Sequence, residues 1–151
     1  MPRCEIEQVP NVEQGPFVGA LLRLVHQEAR LRVLKILDAR GLGDIGTTYF
    51  ALFQYPGTDG MRPSDVARRL GVSKQALNHM VGQLERLGYL ERHPEPGGRH
   101  TTLRYTERGW QVLQTAIETM IDLEAEWQGL LGERRFAEFK GTLKMLAGLA
   151  G

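Results

Sequence analysis

Between Leu70 and Lys74 the chain has only Gly71, Val72 and Ser73 in which to end one helix and begin another. Gly71 accepts φ > 0 and so closes a helix. Ser73 is an N-cap type, whose hydroxyl accepts from an orphan N–H in the first turn of the next helix. Apolar residues recur at helical spacing on both sides. Val66, Ala67 and Leu70 precede the turn, and Leu77, Met80, Val81, Leu84 and Leu87 come after it. Pro63 suits position N1 of the first helix, with Asp65 favourably placed in its first turn, and Gly88 suits C′ of the second. Two helices joined by so short a turn form a helix-turn-helix.

The residues beyond Gly88 add a ribbon to this motif. Tyr89 to His93 and Thr101 to Tyr105 are strand-like, with Leu90 expected to face Leu103 or Tyr105. Gly97 and Gly98 supply the turn between them, and Arg99 rides at its tip. The unit is a winged helix-turn-helix. Its second helix presents Lys74, Gln75, Asn78 and His79 opposite the apolar stripe, with Gly82 in mid-helix. In a major groove, Asn and Gln pair bidentately with adenine, and Lys reaches guanine or phosphate. The candidate DNA-binding residues are therefore Ser73, Lys74, Gln75, Asn78, His79 and Arg99. A solvated helix face is the other reading of such a surface, and the adjoining ribbon favours the groove.

Charge distribution supports that choice. The net charge is only +1. From Arg62 to Arg108 there are nine basic and five acidic side chains, an excess of +4, which leaves −3 for the remainder. Positive charge concentrates on the element that would displace counterions from a duplex.

The stretch from Arg62 to Arg108 resembles the winged helix of the MarR family of bacterial transcription regulators. The matching segments are Val66-Ala67-Arg68-Arg69-Leu70, Ser73, Leu84-Glu85-Arg86-Leu87-Gly88, Arg99 and Tyr105-Thr106-Glu107-Arg108-Gly109. Two positions depart from the family pattern. Arg62 stands where a capping Thr or Ser is usual, and Gly98 replaces the acidic residue before the wing arginine. The resemblance implies a mainly α fold with a small β-ribbon, in which N- and C-terminal dimerisation helices flank the winged helix-turn-helix. It also implies a homodimer on a pseudo-palindromic operator in double-stranded DNA. A small aromatic or lipophilic effector would sit in a cleft between the dimer helices and the winged helix. Tyr49, Phe53 and Trp110 are the aromatic candidates to border that cleft, with a plain core role as their other reading.

The rest of the chain fits one domain over residues 16–151, preceded by an arm at 1–15. Dimerisation helices are expected at 16–45 and 110–151, around a DNA-binding region at 46–109. Gly15-Pro16 opens a long helix to about Arg40 whose apolar residues occupy more than one side, so it needs two partners. A short aromatic-rich helix is expected over Thr47 to Tyr55. Thr106 caps a further long helix, with Trp110, Leu113, Ile117, Met120, Leu123 and Trp127 expected on its buried side. After Gly132, Phe136, Phe139, Leu143 and Leu146 mark an amphipathic terminal helix.

Other functional classes find little support in the residues. There is no phosphate-cradling loop after a strand, no nucleophile elbow and no HExxH, so the chain does not read as an enzyme. His79, His93 and His100 lack a ligand set at metal spacing, and no metal or cofactor is expected. Cys4, the lone cysteine, sits between Arg3 and Glu5 and reads as an inert thiol, although some regulators resembling this family sense peroxides through an N-terminal cysteine. No run reaches membrane-spanning length and no signal peptide is evident, which places the chain in the cytoplasm without a membrane partner. The alternatives are a winged-helix module for protein contacts without an operator, and a DNA-binding regulator that lacks effector response.

Overall fold

A long helix, α1 (Val18–Ala39), opens the structure, a computed structural model that describes residues 15–149. The arm expected at 1–15, with Cys4, falls outside the described residues except for Gly15. Ala29, Val33 and Leu37 are buried on one edge of α1, which packs on α5. Phe17, Val18, Leu21, Leu24 and Val25 remain exposed along its N-terminal half. The expected second apolar side is present and faces outward in the single chain.

The expected helix over Thr47 to Tyr55 is resolved differently. A 3-10 turn (Gly43–Ile45) leads into a four-residue α2 (Gly46–Tyr49), which tightens into a second 3-10 turn (Phe50–Phe53). Phe50, Leu52 and Phe53 are all buried. Residues so close in sequence do not share one narrow stripe of an α-helix. The tighter winding and the surrounding core accommodate all three.

The helix-turn-helix forms as its turn chemistry dictates. In α3 (Pro63–Leu70), Pro63 occupies the first turn, and Gly71 ends the helix in the left-handed region at φ 66°. The Val72 amide donates to Ala67 O at 3.0 Å, which ties off the end of the helix. Ser73 Oγ accepts from the Ala76 amide at 3.0 Å and starts α4 (Lys74–Arg86). Val66 and Ala67 of α3 and Leu77, Val81 and Leu84 of α4 are buried in the same core.

The ribbon pairs β1 (Leu90–Pro94) antiparallel with β2 (Thr101–Tyr105), with Leu90 opposite Tyr105. Leu103 is also bonded on its other edge, to Met61 O at 2.8 Å and from the Gly60 amide at 2.7 Å. A buried knot secures this loop. Thr58 Oγ1 and Tyr105 Oη both donate to Leu52 O, at 3.0 and 2.9 Å, and the Thr58 amide donates to Tyr105 Oη at 2.9 Å.

Thr106 caps α5 (Glu107–Leu131) by accepting from the Gly109 amide at 3.1 Å. The buried side of α5 matches the expected one in part: Leu123 is buried and Leu113 and Met120 pack against the core, but Trp110 and Ile117 do not turn inward. Gly109, Val112, Thr115, Ala116, Thr119 and Leu123 are buried, whereas Trp110 is 48% and Ile117 51% exposed. Much of the inner face is lined by small residues, so the large apolar side chains mark it only in part. Thr115 and Thr119 can be buried because their hydroxyls donate to Gln111 O and Thr115 O at 2.8 and 2.7 Å. The terminal helix α6 (Glu133–Leu146) packs on α5 and buries Phe136. Further along the same stripe, Leu146 is 72% exposed.

Candidate nucleic-acid interface

Packing alone orients α4. Leu77, Val81 and Leu84 fix its inner face, so Lys74, Gln75, Asn78 and His79 stand exposed together near its N-terminus. Ser73, also exposed, has one acceptor site engaged in capping. No acidic side chain occupies the first turn of α4, so the positive end of the helix dipole faces outward unopposed.

The ribbon tip is a defined turn. The Gly98 amide donates to Glu95 O at 2.9 Å around Pro96 and Gly97, and Gly97 has φ 96°. Proline followed by a residue with positive φ is the signature of a type II turn. A second bond, from the Glu95 amide to His100 O at 2.8 Å, closes the loop around an exposed Arg99.

Two ion pairs tie the ribbon to the helices. Arg92 Nη1 lies 2.9 Å from Glu85 Oε2 and joins β1 to the end of α4. Arg62, the N-cap residue of α3, grips Glu95 with both edges matched, Nε to Oε1 at 2.9 Å and Nη2 to Oε2 at 2.7 Å. The guanidinium hydrogen bonds hold the Glu95 carboxyl below its ordinary range, and the same bonds raise the Arg62 pKa. Between this pair and the ribbon tip lies a cleft of about 250 Å³, lined by residues that include Ser64, Arg99 and His100.

The excess positive charge of the segment is therefore largely committed. Arg62, Arg68, Arg92, Arg104 and Arg108 all form carboxylate pairs. Arg69 and Arg86 donate to the backbone carbonyls of Gly57 and Gly82. Among the described residues, Lys74 and Arg99 are the cations of this segment left without such a partner, one on α4 and one on the ribbon.

Arg108 instead closes the joint between the winged helix and the long helices. It donates to Leu87 O at 2.8 Å, pairs with Asp44 at 3.0 Å and lies 4.4 Å over the Tyr89 ring. Tyr89 Oη bonds Asp44 and Leu42 O, and burial, followed by the Asp44 bond, pushes its hydroxyl pKa upward. Sequence periodicity gives no sign of this cluster or of the Arg62–Glu95 pair, since each joins residues far apart in the chain.

The aromatic candidates are partly assembled. Phe53 is buried and stacks on Tyr105 at 4.8 Å, and Tyr105 meets the half-exposed Trp110 edge-on at 5.2 Å. Tyr49 packs against the same core but forms no ring pair with them. A second hollow, of about 610 Å³, is polar and lined by residues such as Arg40, Arg108 and Gln111. Neither cleft is bordered by Tyr49, Phe53 or Trp110. Of the histidines, His79 is on the outer face of α4, His100 is at the ribbon tip and His93 contacts Glu91 at 2.6 Å. No group of three or more metal-ligand side chains occurs among the described residues.

Comparisons with known proteins agree with this architecture. A model of the MarR family matches residues 51–99. A transcriptional regulator from Thermotoga maritima is 28% identical, over 85% of this chain and 90% of its own, with a TM-score of 0.58. MepR from S. aureus, solved as a DNA complex, is 20% identical over 89% of this chain and 99% of its own, with a TM-score of 0.62. CouR from Rhodococcus jostii, solved with p-coumaroyl-CoA bound, is 20% identical over 86% and 91%, with a TM-score of 0.61. No curated protein matches the chain in sequence.

Proposed function

We propose, from its likeness to the MarR family and from the exposed faces of α4 and the ribbon, that the chain is a sequence-specific, double-stranded-DNA-binding transcription regulator acting as a homodimer. The observation that carries this reading is the pairing of an exposed, acid-free N-terminal face on α4 with an uncommitted arginine at the tip of an adjoining ribbon. Gln75, Asn78 and His79 would read base edges from the major groove, and Ser73 and Lys74 would position the helix on phosphates. Arg99 would reach the neighbouring minor groove. A narrow A·T-rich groove has enhanced negative potential that attracts arginine. MepR, which has the same fold, has been solved on DNA.

The unpartnered apolar surface supports the homodimer. Phe17, Leu21 and Leu24 on α1, Ile121 on α5, and Met145 and Leu146 on α6 are exposed. A two-fold axis through such surfaces would bury them as a divided core. Two copies would present two recognition helices, and the operator would be a pseudo-palindrome.

Effector response is the finer part of the proposal. CouR has been solved with an acyl-CoA bound. Here Trp110 is half-exposed beside Tyr105, a surface against which an aromatic or lipophilic ligand would pack. Tyr49, Phe53 and Trp110 are the residues proposed to respond to it.

Selection of bound duplexes from random DNA with the purified protein tests the main reading. The expected product is a two-fold symmetric site whose affinity falls steeply with salt. Recovery of unrelated sequences with no duplex binding at modest salt would instead favour a module for protein contacts.

A further inference from the structure

Arg62 and Gly98, the two positions that depart from the family pattern in sequence, line the same cleft. Arg62 replaces a capping residue at the start of α3, and its side chain makes no cap hydrogen bond. It reaches across to Glu95 and forms a two-point contact, at 2.9 and 2.7 Å. The acidic neighbour usual just before the wing arginine is absent, and Gly98 stands in its place. The acidic group nearest in sequence within the turn is Glu95.

Glu95 is also the residue on which the turn closes. Its carbonyl accepts from Gly98 and its amide donates to His100 O, at 2.9 and 2.8 Å. These bonds flank Arg99 on both sides. Both the backbone and the side chain of Glu95 are therefore fixed, the first within the ribbon and the second to α3. A bidentate guanidinium–carboxylate pair constrains direction as well as distance. A hairpin tip with positive-φ glycines has no comparable constraint of its own.

We infer that the Arg62–Glu95 pair aims the wing: it fixes the direction in which Arg99 leaves the ribbon, and so sets how much Arg99 contributes on a duplex. Arg62 and Glu95 are positioning residues, and Arg99 is the contacting group. Because Arg62 is neutralised by Glu95, it adds little attraction of its own. This inference rests on the proposed DNA-binding function.

The test measures what Arg99→Ala costs with and without the pair, on one selected duplex across a range of salt. In the parent, Arg99→Ala is expected to weaken binding about tenfold and lower the salt slope by about one. R62A/E95A removes the pair with no change in net charge. In that background, Arg99→Ala is expected to cost no more than about twofold, because an unaimed arginine gives up most of its charge-assisted contact. R62Q/E95Q, closer in shape to the parent, serves as a second pair-free chain and is expected to behave alike. R62E/E95R restores a pair in reverse and is expected to recover sensitivity to Arg99→Ala. An equal cost of Arg99→Ala in the parent and in a folded pair-free chain overturns the inference, as does a parent indifferent to Arg99→Ala. A parent that binds no duplex overturns the DNA-binding function itself.

Discussion

Of the glycines inside helices of this fold, Gly82 and Gly109 have opposite tolerances in the structure. Gly109, in the first turn of α5, is buried against the strand junction. A Cβ added there would lie 2.2 Å from Tyr89 O and 3.2 Å from Tyr105 Cβ. An ordinary carbon–oxygen contact is about 3.3–3.6 Å, so helix and strand must separate by about 1 Å. Tyr89 O also accepts from the Thr106 amide at 3.1 Å, so the shift strains the bond that leads into the α5 cap. Overpacking costs about 1–3 kcal/mol, and a weakened hydrogen bond adds up to about 1 kcal/mol. Alanine recovers only about 0.5–1 kcal/mol of helix propensity. Gly109→Ala is expected to destabilise by about 2 kcal/mol, or about 4–8 °C in melting temperature for a domain of this size. At Gly82 in α4, nothing lies within 4 Å of an added Cβ, so close approach within the chain does not explain that glycine. Gly82→Ala is expected to stabilise by about 0.5–1 kcal/mol. Thermal unfolding measured by circular dichroism, at one fixed protein concentration, compares the two. A Gly109→Ala chain that melts at or above the parent temperature would refute the close-contact argument.

Three further outcomes rest on the same geometry. Asn78→Ala is expected to cost about 1–3 kcal/mol on the preferred duplex and to relax one base position, and an unchanged preference profile would remove Asn78 from base readout. Deleting residues from Glu133 onward is expected to leave an aggregating product, because α6 would no longer cover α5; a compact, soluble monomer in sedimentation would contradict the dimer proposal. The Glu95 carboxyl is expected to titrate below ordinary glutamate by carbon-detected NMR. Its pair stabilises the fold above the unfolded value of about 4.3 and loses that contribution as pH falls through the lowered folded value. Arg62→Ala should return Glu95 to the ordinary range, and an unmoved titration would show that another group depresses it.

Local chemistry made the helix-turn-helix legible. Gly71, Ser73 and Gly88 act through their own backbone or the next turn, so their roles are written in adjacent residues. The ribbon is legible for the same reason, but its register is not: the sequence leaves Leu90 opposite Leu103 or Tyr105, and the structure pairs it with Tyr105. Legibility ends where the partner is distant. The inner face of α5 is set by close packing on α1, which selects Thr115, Ala116 and Thr119 over larger neighbours. The 3-10 turn at Phe50–Phe53 is set by a core that draws in three aromatic and aliphatic side chains at once. No single-helix periodicity encodes either demand.

The same distinction governs the charge argument. A count over the segment from Arg62 to Arg108 finds an excess of positive charge, but most of those arginines hold the fold together. Arg62 and Arg92 anchor the ribbon, Arg104 pairs with Asp59, and Arg108 locks the joint through Asp44 and Tyr89. A paired arginine brings its counter-charge with it, so it displaces few cations from a duplex. What distinguishes the candidate interface is therefore where the uncommitted cations remain. Lys74 sits at the first position of α4, where the helix dipole adds to its field. Arg99 sits on a turn braced by two backbone bonds and a side-chain pair. Two such charges on separate rigid elements can meet different phosphates or grooves at once, which a mobile cluster of equal charge would do only at an entropic cost. On the proposed DNA-binding reading, the pairs of Arg62 and Arg92 contribute indirectly, by bracing the ribbon that carries Arg99.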